Sequence, residues 1–495
     1  MRHILNFTLI ISQAIFAQTN FHKANLAIED SFSKDTCKCS LKNWNQHKQK
    51  HFEYSQFQLD VIKNNWGLYF KEDLLPILEP TIANDFFEIK MDSYGSLYPE
   101  KEILNLISKD EFEGFKKNYA DLRTHSFHKR FKYDNHEKIK NRIDKNEFPK
   151  IYKELYYLSK IDTDEEKFFK TWDNYHDSVT IYKLNDIIKQ RGIVRVIFYI
   201  HGYNVPYSLA VIQAITTYKF YKENIPNGKV LFVPVYWPSN NAKMNNLNQD
   251  NFSIDNIKKF KTNGKLFLRY SNRCYYAAIT LRKIINGIDT NVKMDIIAHS
   301  LGATIATTTL INTYTKLHYN RNSTLKVISD KPDEVLKIER NKYFGKDQIN
   351  YDLLKRFYDK ENTPPTRAIN VFLSAAAIPG QITFVDMDDT IMQNKKFYVT
   401  INPCDEMVTK SEIRNQVKKK SLLKVNAINH NRLSSTSLGC NGSNDTDTTK
   451  ANYIARVPSG IFKISKASIQ IDHDLFVYLE QNAYQTFLKN FFNEK

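Results

Sequence analysis

The residues best suited to do chemistry are Ser300 and its neighbours in Ile296-Ile297-Ala298-His299-Ser300-Leu301-Gly302. A serine hydroxyl is a poor nucleophile at neutral pH, so it needs a base and a fixed, exposed position. A tight strand-to-helix turn provides that position when the residues two before and two after the serine are small. Ala298 and Gly302 meet that requirement, although such turns usually begin with Gly. A helix starting at Leu301 would aim its backbone N–H groups at the place where a tetrahedral oxyanion forms. The chemistry this supports is acyl transfer through a covalent serine intermediate. The pentapeptide alone is common by chance, and an ordinary turn would look the same, so its surroundings decide.

Upstream, Tyr199-Ile200-His201-Gly202-Tyr203-Asn204 ends a buried apolar run. The backbone N–H of Tyr203 or Asn204 is the candidate for a second oxyanion donor beside Leu301. Downstream, an acid and then a histidine are expected in that order. Asp405 in Asn402-Pro403-Cys404-Asp405 follows a late strand and is the candidate acid, with Glu406, Asp386, Asp388 and Asp389 as alternatives. His473 in Ile471-Asp472-His473-Asp474 lies before the last helix and is the candidate base, with His430 as the other late histidine. In this arrangement His473 takes the Ser300 proton and Asp405 holds the imidazole. No cofactor is implied. His125 and His128 lie close together but lack the further ligands a metal site needs, and no cysteine spacing resembles a zinc site.

The elements that must position these residues begin near residue 193. Ile193 to Ile200 and Val230 to Tyr236 are near-continuous apolar runs, as in strands buried on both faces of a parallel sheet. Met294 to Ile297, Ala368 to Leu373 and Phe397 to Ile401 read as further strands, with Ile461 to Ile464 a weaker one. Between them, Val205 to Lys222, Ser271 to Ile285 and Leu301 to Tyr314 read as helices, with Gly287 ending the second, and a helix over 474–492 closes the chain. Such alternation predicts an α/β domain with a mainly parallel sheet over residues 186–495. Residues from about 317 to 365 break the rhythm as a charged, helical insertion, either a lid or a surface decoration. Residues 18–185 read as a mostly helical N-terminal region. Capping boxes at Ser108-Lys109-Asp110-Glu111 and Thr163-Asp164-Glu165-Glu166 open two of its helices. Phe168, Phe169 and Trp172 at helical spacing are read as core.

The chain has 495 residues and is 42% hydrophobic, enough for a sizeable core and against global disorder. Arg2 and His3, the apolar run Ile4 to Phe16 and the small residues Ala14 and Ala17 are laid out as a secretory signal peptide cleaved after Ala17. No later segment has the run of roughly 18 apolar residues that a membrane span needs. The expectation is an exported protein, periplasmic or secreted. The net charge of +17 is spread along the chain, with only Lys418 to Lys420 clustered, so nucleic-acid binding is not expected. Of five cysteines, Cys274 falls in an apolar helical pattern and is read as a buried small hydrophobe. Cys404 and Cys440 are close enough on this reading for a bridge, whereas Cys37 and Cys39 are too close to pair with each other without strain.

The three phrases Tyr199-Ile200-His201-Gly202-Tyr203-Asn204, Pro234-Val235-Tyr236-Trp237-Pro238-Ser239 and Ile297-Ala298-His299-Ser300-Leu301-Gly302 together resemble the bacterial α/β hydrolases of unknown function known as the domain-of-unknown-function 900 group. Arg432-Leu433-Ser434-Ser435 and the His473 region are similar to that family's C-terminal part. The resemblance covers about residues 185 to 490. It implies the α/β-hydrolase fold and a triad of Ser300, Asp405 and His473. The chain departs from the family after the strand at 368–373, where Ala375-Ala376-Ala377-Ile378-Pro379 stands in place of an acidic phrase, which keeps the alternative acids open. The helical first third has no counterpart in it. The reading that results is an exported serine hydrolase of the esterase or lipase kind, acting on a small-molecule or lipid-like acyl substrate. A peptidase or thioesterase would share the triad, and a catalytically silent fold used for binding at the cell envelope is the alternative from another class.

Overall fold

The computed structural model describes residues 73–99, 136–146, 149–160, 165–203, 205, 207–239, 264–310, 318–319, 325–326, 362–376, 394–401, 453–456, 462–464, 467–469, 475–479 and 482–494. In chain order these form α1 (Leu74–Leu78), β1 (Ile89–Lys90), α2 (His136–Asp144), α3 (Ile151–Lys160), α4 (Glu165–Arg191), β2 (Arg195–Ile200), α5 (Tyr207–Asn224), β3 (Val230–Tyr236), α6 (Gly264–Gly287), β4 (Lys293–His299) and α7 (Gly302–Leu310). There follow β5 (His318–Tyr319), β6 (Leu325–Lys326), β7 (Ile369–Ser374), β8 (Lys395–Ile401), β9 (Tyr453–Arg456), β10 (Phe462–Ile464), β11 (Ala467–Ile469), α8 (Leu475–Leu479) and α9 (Asn482–Asn493). The main sheet runs β1-β3-β2-β4-β7-β8-β9, and every neighbouring pair in it is parallel. This is the α/β architecture that alternating buried runs and helices predict.

Parallel strands need crossovers, and helices on both faces then bury both sides of each strand. The pattern is visible residue by residue. Val196, Phe198 and Ile200 of β2 join one core with Leu184 and Ile188 of α4, the apolar stripe of α6 and the small residues of α7. Ile197 and Tyr199, one position out of phase, join the opposite core with α1, α5, α8 and α9. Cys274 is buried in the first of these cores, as the helical pattern predicts. The sheet is tied at its centre and extended at one edge. At the start of β2, the buried Arg195 donates to the Asp295 carboxylate of β4 and to the carbonyls of Phe491 and Phe492, tying α9 to the sheet. Ile89 of β1 pairs with Val235, so a segment from the mostly helical first third extends the sheet beyond β3.

Two late elements differ from the sequence-based expectation. The final strand of the sheet is Tyr453–Arg456, whereas Phe462–Ile464 pairs antiparallel with Ala467–Ile469 outside the sheet. The closing helix is two helices, α8 and α9. Within the 317–365 insertion, β5 and β6 form an antiparallel pair. The Ser108 capping box lies outside the described residues. No described helix is long and apolar enough to cross a membrane.

Phe168, Phe169 and Trp172 are core, in a third cluster with Tyr152, Leu155 and Tyr156. The indole N–H of Trp172 donates to the Leu97 carbonyl at 3.1 Å, joining this cluster to the segment that carries β1. His176 packs on the same indole with ring centroids 4.3 Å apart, and its Nε2 lies 3.3 Å from the Tyr152 hydroxyl. Burial, aided by the charge of Lys183, lowers its pKa from 6.5 to about 3. The fold therefore holds His176 neutral, while the unfolded chain protonates it below about pH 6.5. Its contribution to stability is complete above that pH and is lost as pH falls toward 3. Urea unfolding should show the wild type losing up to about 2 kcal/mol more than His176→Gln between pH 7.5 and pH 5. Equal losses in the two proteins would remove His176 from the account.

Candidate active site

Following β2, the chain moves to β3 on one side and then to β4 on the other, and the sheet grows outward through β7, β8 and β9. The direction of growth thus reverses between β2 and β4. In open α/β sheets the crevice at the carboxyl ends of such a strand pair is where ligands bind. Ile200 is paired with Ala298 at that end, so His201-Gly202-Tyr203 and His299-Ser300-Leu301 leave the sheet side by side.

Ser300 occupies the turn between β4 and α7 with φ +53°. A non-glycine residue in the left-handed region costs on the order of 1–2 kcal/mol, so the surroundings must hold it there. They do so through the backbone. The Ser300 N–H donates to the Ser374 carbonyl at the end of β7 (2.9 Å), and the Ser300 carbonyl accepts from Ala303 N–H (3.1 Å), starting the helix. Ala375, the next residue along from Ser374, is also left-handed at φ +46°, and its N–H donates to Thr400 Oγ1 of β8 at 3.1 Å. Two adjacent strand ends are thus bent in the same sense and coupled by one hydrogen bond.

The small residues of the motif are required by close approach. A Cβ on Gly302 would stand 2.6 Å from the carbonyl oxygens of both Ile200 and His201, so α7 can start against the end of β2 only with glycine at that position. A Cβ on Gly202 would stand 2.8 Å from the Ser300 Cβ and 2.9 Å from His299 Nδ1. The backbone leading into Tyr203 therefore lies directly against the serine side chain. Ala298, the small residue on the other side of the serine, is fully buried. The N-terminal turn of α7 points its positive end toward Ser300. All nine residues of α7 are buried, and the Thr307 and Thr309 hydroxyls donate back to the Ala303 and Ile305 carbonyls of their own helix.

His201 is also buried. The Trp237 N–H donates to its Nε2 at 3.3 Å, which places the proton on Nδ1, and Nδ1 donates to the Gly202 carbonyl at 3.0 Å. Burial lowers its pKa from 6.5 to about 4, so the ring is neutral at neutral pH. His201 is therefore part of the scaffold of the turn.

Of the site residues expected from sequence, Tyr203, Ser300 and Leu301 are brought together at the switch point. Asn204, Asp405 and His473 lie outside the described residues, as do Asp386, Asp388, Asp389, Glu406 and His430. Among the described residues, no group of three or more His, Cys, Asp or Glu is placed to hold a metal ion. Sequence reasoning missed the Ser374 carbonyl and the strained Ala375, because a backbone acceptor leaves no trace in residue type. The family described as alpha/beta hydrolase of unknown function (DUF900) matches residues 177–441, more than half of the chain. No curated protein and no solved structure matches it.

Proposed function

Because the chain belongs to the alpha/beta hydrolases of unknown function, we propose that it is a serine hydrolase that cleaves ester or other acyl bonds with Ser300 as nucleophile. The observation that carries this reading is the left-handed Ser300, bonded to β7 and opening α7 at the point where the sheet order reverses. On this reading the Ser300 hydroxyl adds to the acyl carbon as His473 removes its proton. His473 then protonates the leaving group as the tetrahedral intermediate collapses to an acyl-serine, and water repeats the sequence. Asp405 orients the imidazole and carries no proton itself. The N–H groups of Leu301 and of Tyr203 or Asn204 receive the oxyanion. The layout of residues 1–17 supports export, to be checked by sequencing the N-terminus of the protein recovered outside the cytoplasm.

Ser300 is only 4% exposed, and this observation favours a second reading, a silent fold retained for binding. A fluorophosphonate probe separates the two, combined with a panel of p-nitrophenyl esters of increasing chain length. Labelling with turnover of at least one ester is the expected result. A folded protein that neither labels nor turns over any ester would establish the silent fold.

A further inference from the structure

The turn Trp237-Pro238-Ser239 at the end of β3 takes no part in the proposed chemistry, yet it holds the residues that do. The register explains how. Ile200 pairs with Val235, so His201 and Trp237 emerge from neighbouring strand ends. Trp237 grips His201 twice. Its backbone N–H donates to the ring and its indole N–H donates to the His201 carbonyl at 2.9 Å, with the two rings stacked 5.6 Å apart. Ser239 then reaches past His201 to the far end of the loop. Its Oγ accepts from the Val205 N–H at 3.3 Å and donates to the Val205 carbonyl at 3.0 Å. The same oxygen lies 3.4 Å from His201 Nδ1. Trp237 and Ser239 are both fully buried, and Arg273 donates to the Pro238 carbonyl at 3.2 Å, fixing the turn from the α6 side.

The loop is therefore clamped at both ends, at His201 and at Val205, and Gly202 between them touches Ser300. Tyr203, a proposed oxyanion donor, sits inside the clamped segment. We propose that Ser239 is a positioning residue that sets the backbone around Tyr203 so that its N–H meets the oxyanion; this rests on the serine-hydrolase reading above. The hydroxyl suits the task. One small side chain satisfies both backbone groups of Val205 in a site closed to water, and no apolar residue of that size could do so.

An oxyanion donor acts on charge that exists only in the transition state, so misplacing it lowers kcat without weakening ground-state binding. Steady-state kinetics with p-nitrophenyl butyrate and binding of a boronic acid, which adds to the serine as a tetrahedral anion, provide the test. For Ser239→Ala we expect kcat to fall roughly 10- to 100-fold, with KM within about twofold of wild type and boronate affinity reduced by a factor similar to that for kcat. Where the alanine variant does not fold, Ser239→Cys keeps the volume, weakens the acceptor and carries the same expectation. An active wild type whose folded variant keeps its kcat, or loses kcat/KM through KM alone, overturns the role of Ser239. A wild type without esterase activity or labelling overturns the serine-hydrolase reading instead.

Discussion

Ser300→Ala should abolish fluorophosphonate labelling and lower esterase kcat by at least about 10⁴-fold, with the folded state retained. The magnitude follows from the division of labour at the site. Without the hydroxyl no acyl-serine can form, and only direct attack by water remains, helped by whatever oxyanion donors survive. The structure also indicates what the substitution leaves intact. Ser300 is held by its backbone, through Ser374 and Ala303, and alanine keeps both hydrogen bonds. Alanine at φ +53° is strained by about as much as serine, so a large loss of stability is not expected. Thermal unfolding should therefore stay within a few degrees of wild type while activity disappears. Residual labelling of the variant at the wild-type rate would show that another residue is the nucleophile. A parallel collapse of fold and activity would make the activity loss uninformative, and Ser300→Cys, which keeps a nucleophile in place, would then be the variant to compare.

Much of this architecture is legible in the sequence because buried parallel strands announce themselves. Val230 to Tyr236 is seven apolar or aromatic residues following Lys229, and the strand has those bounds. Ser300 is legible for a related reason, since small residues at fixed offsets are demanded by close backbone approach at Gly202 and Gly302. The failures occur where the side chains of a segment do not determine its partner. Tyr453-Ile454-Ala455-Arg456 is too short and mixed to read as a strand, yet it pairs with β8, while the similarly short Phe462 to Ile464 turns back on Ala467 to Ile469. Short apolar runs cannot be assigned by periodicity, and only the competition between possible neighbours resolves them. Ile89–Lys90 is shorter still, and it is held on β3 by flanking backbone bonds, Phe87 N–H to the Phe232 carbonyl and Met91 N–H to the Tyr236 carbonyl, with Phe86 and Met91 buried in opposite cores. Ser239 belongs to a third kind. Its motif is visible, but its role depends on which backbone groups lie across from it, and these are 34 residues away in sequence.

Arg282 is the position whose loss should cost the fold most. An arginine in the C-terminal part of α6 would ordinarily mark a solvated face, but this one is completely buried. Its guanidinium donates to the carbonyls of Thr308 and Thr309 in the last described turn of α7 (Nε at 3.1 and 2.9 Å) and to the Asn362 carbonyl at 3.0 Å. Burial lowers its pKa from 12.5 to about 9, which still leaves it charged at neutral pH. The planar fork reaches several carbonyls that one ammonium could not. Arg282→Ala would leave those carbonyls buried without this donor and open a cavity, so we expect a loss of roughly 3–5 kcal/mol. In a domain of this size that lowers Tm by on the order of 10 °C. Arg282→Lys should recover only part of it. The site will register the change, because Arg282 ties together the two elements that support the elbow. Ser300 opens the same α7 whose far end Arg282 holds, and Asn362 leads the chain toward β7, whose last carbonyl accepts the Ser300 N–H. Labelling per folded molecule should therefore fall in Arg282→Ala well below the temperature of global unfolding. An unfolding free energy from urea titration within about 0.5 kcal/mol of wild type for Arg282→Ala would mean that the buried carbonyls find other donors and that Arg282 is dispensable to the elbow.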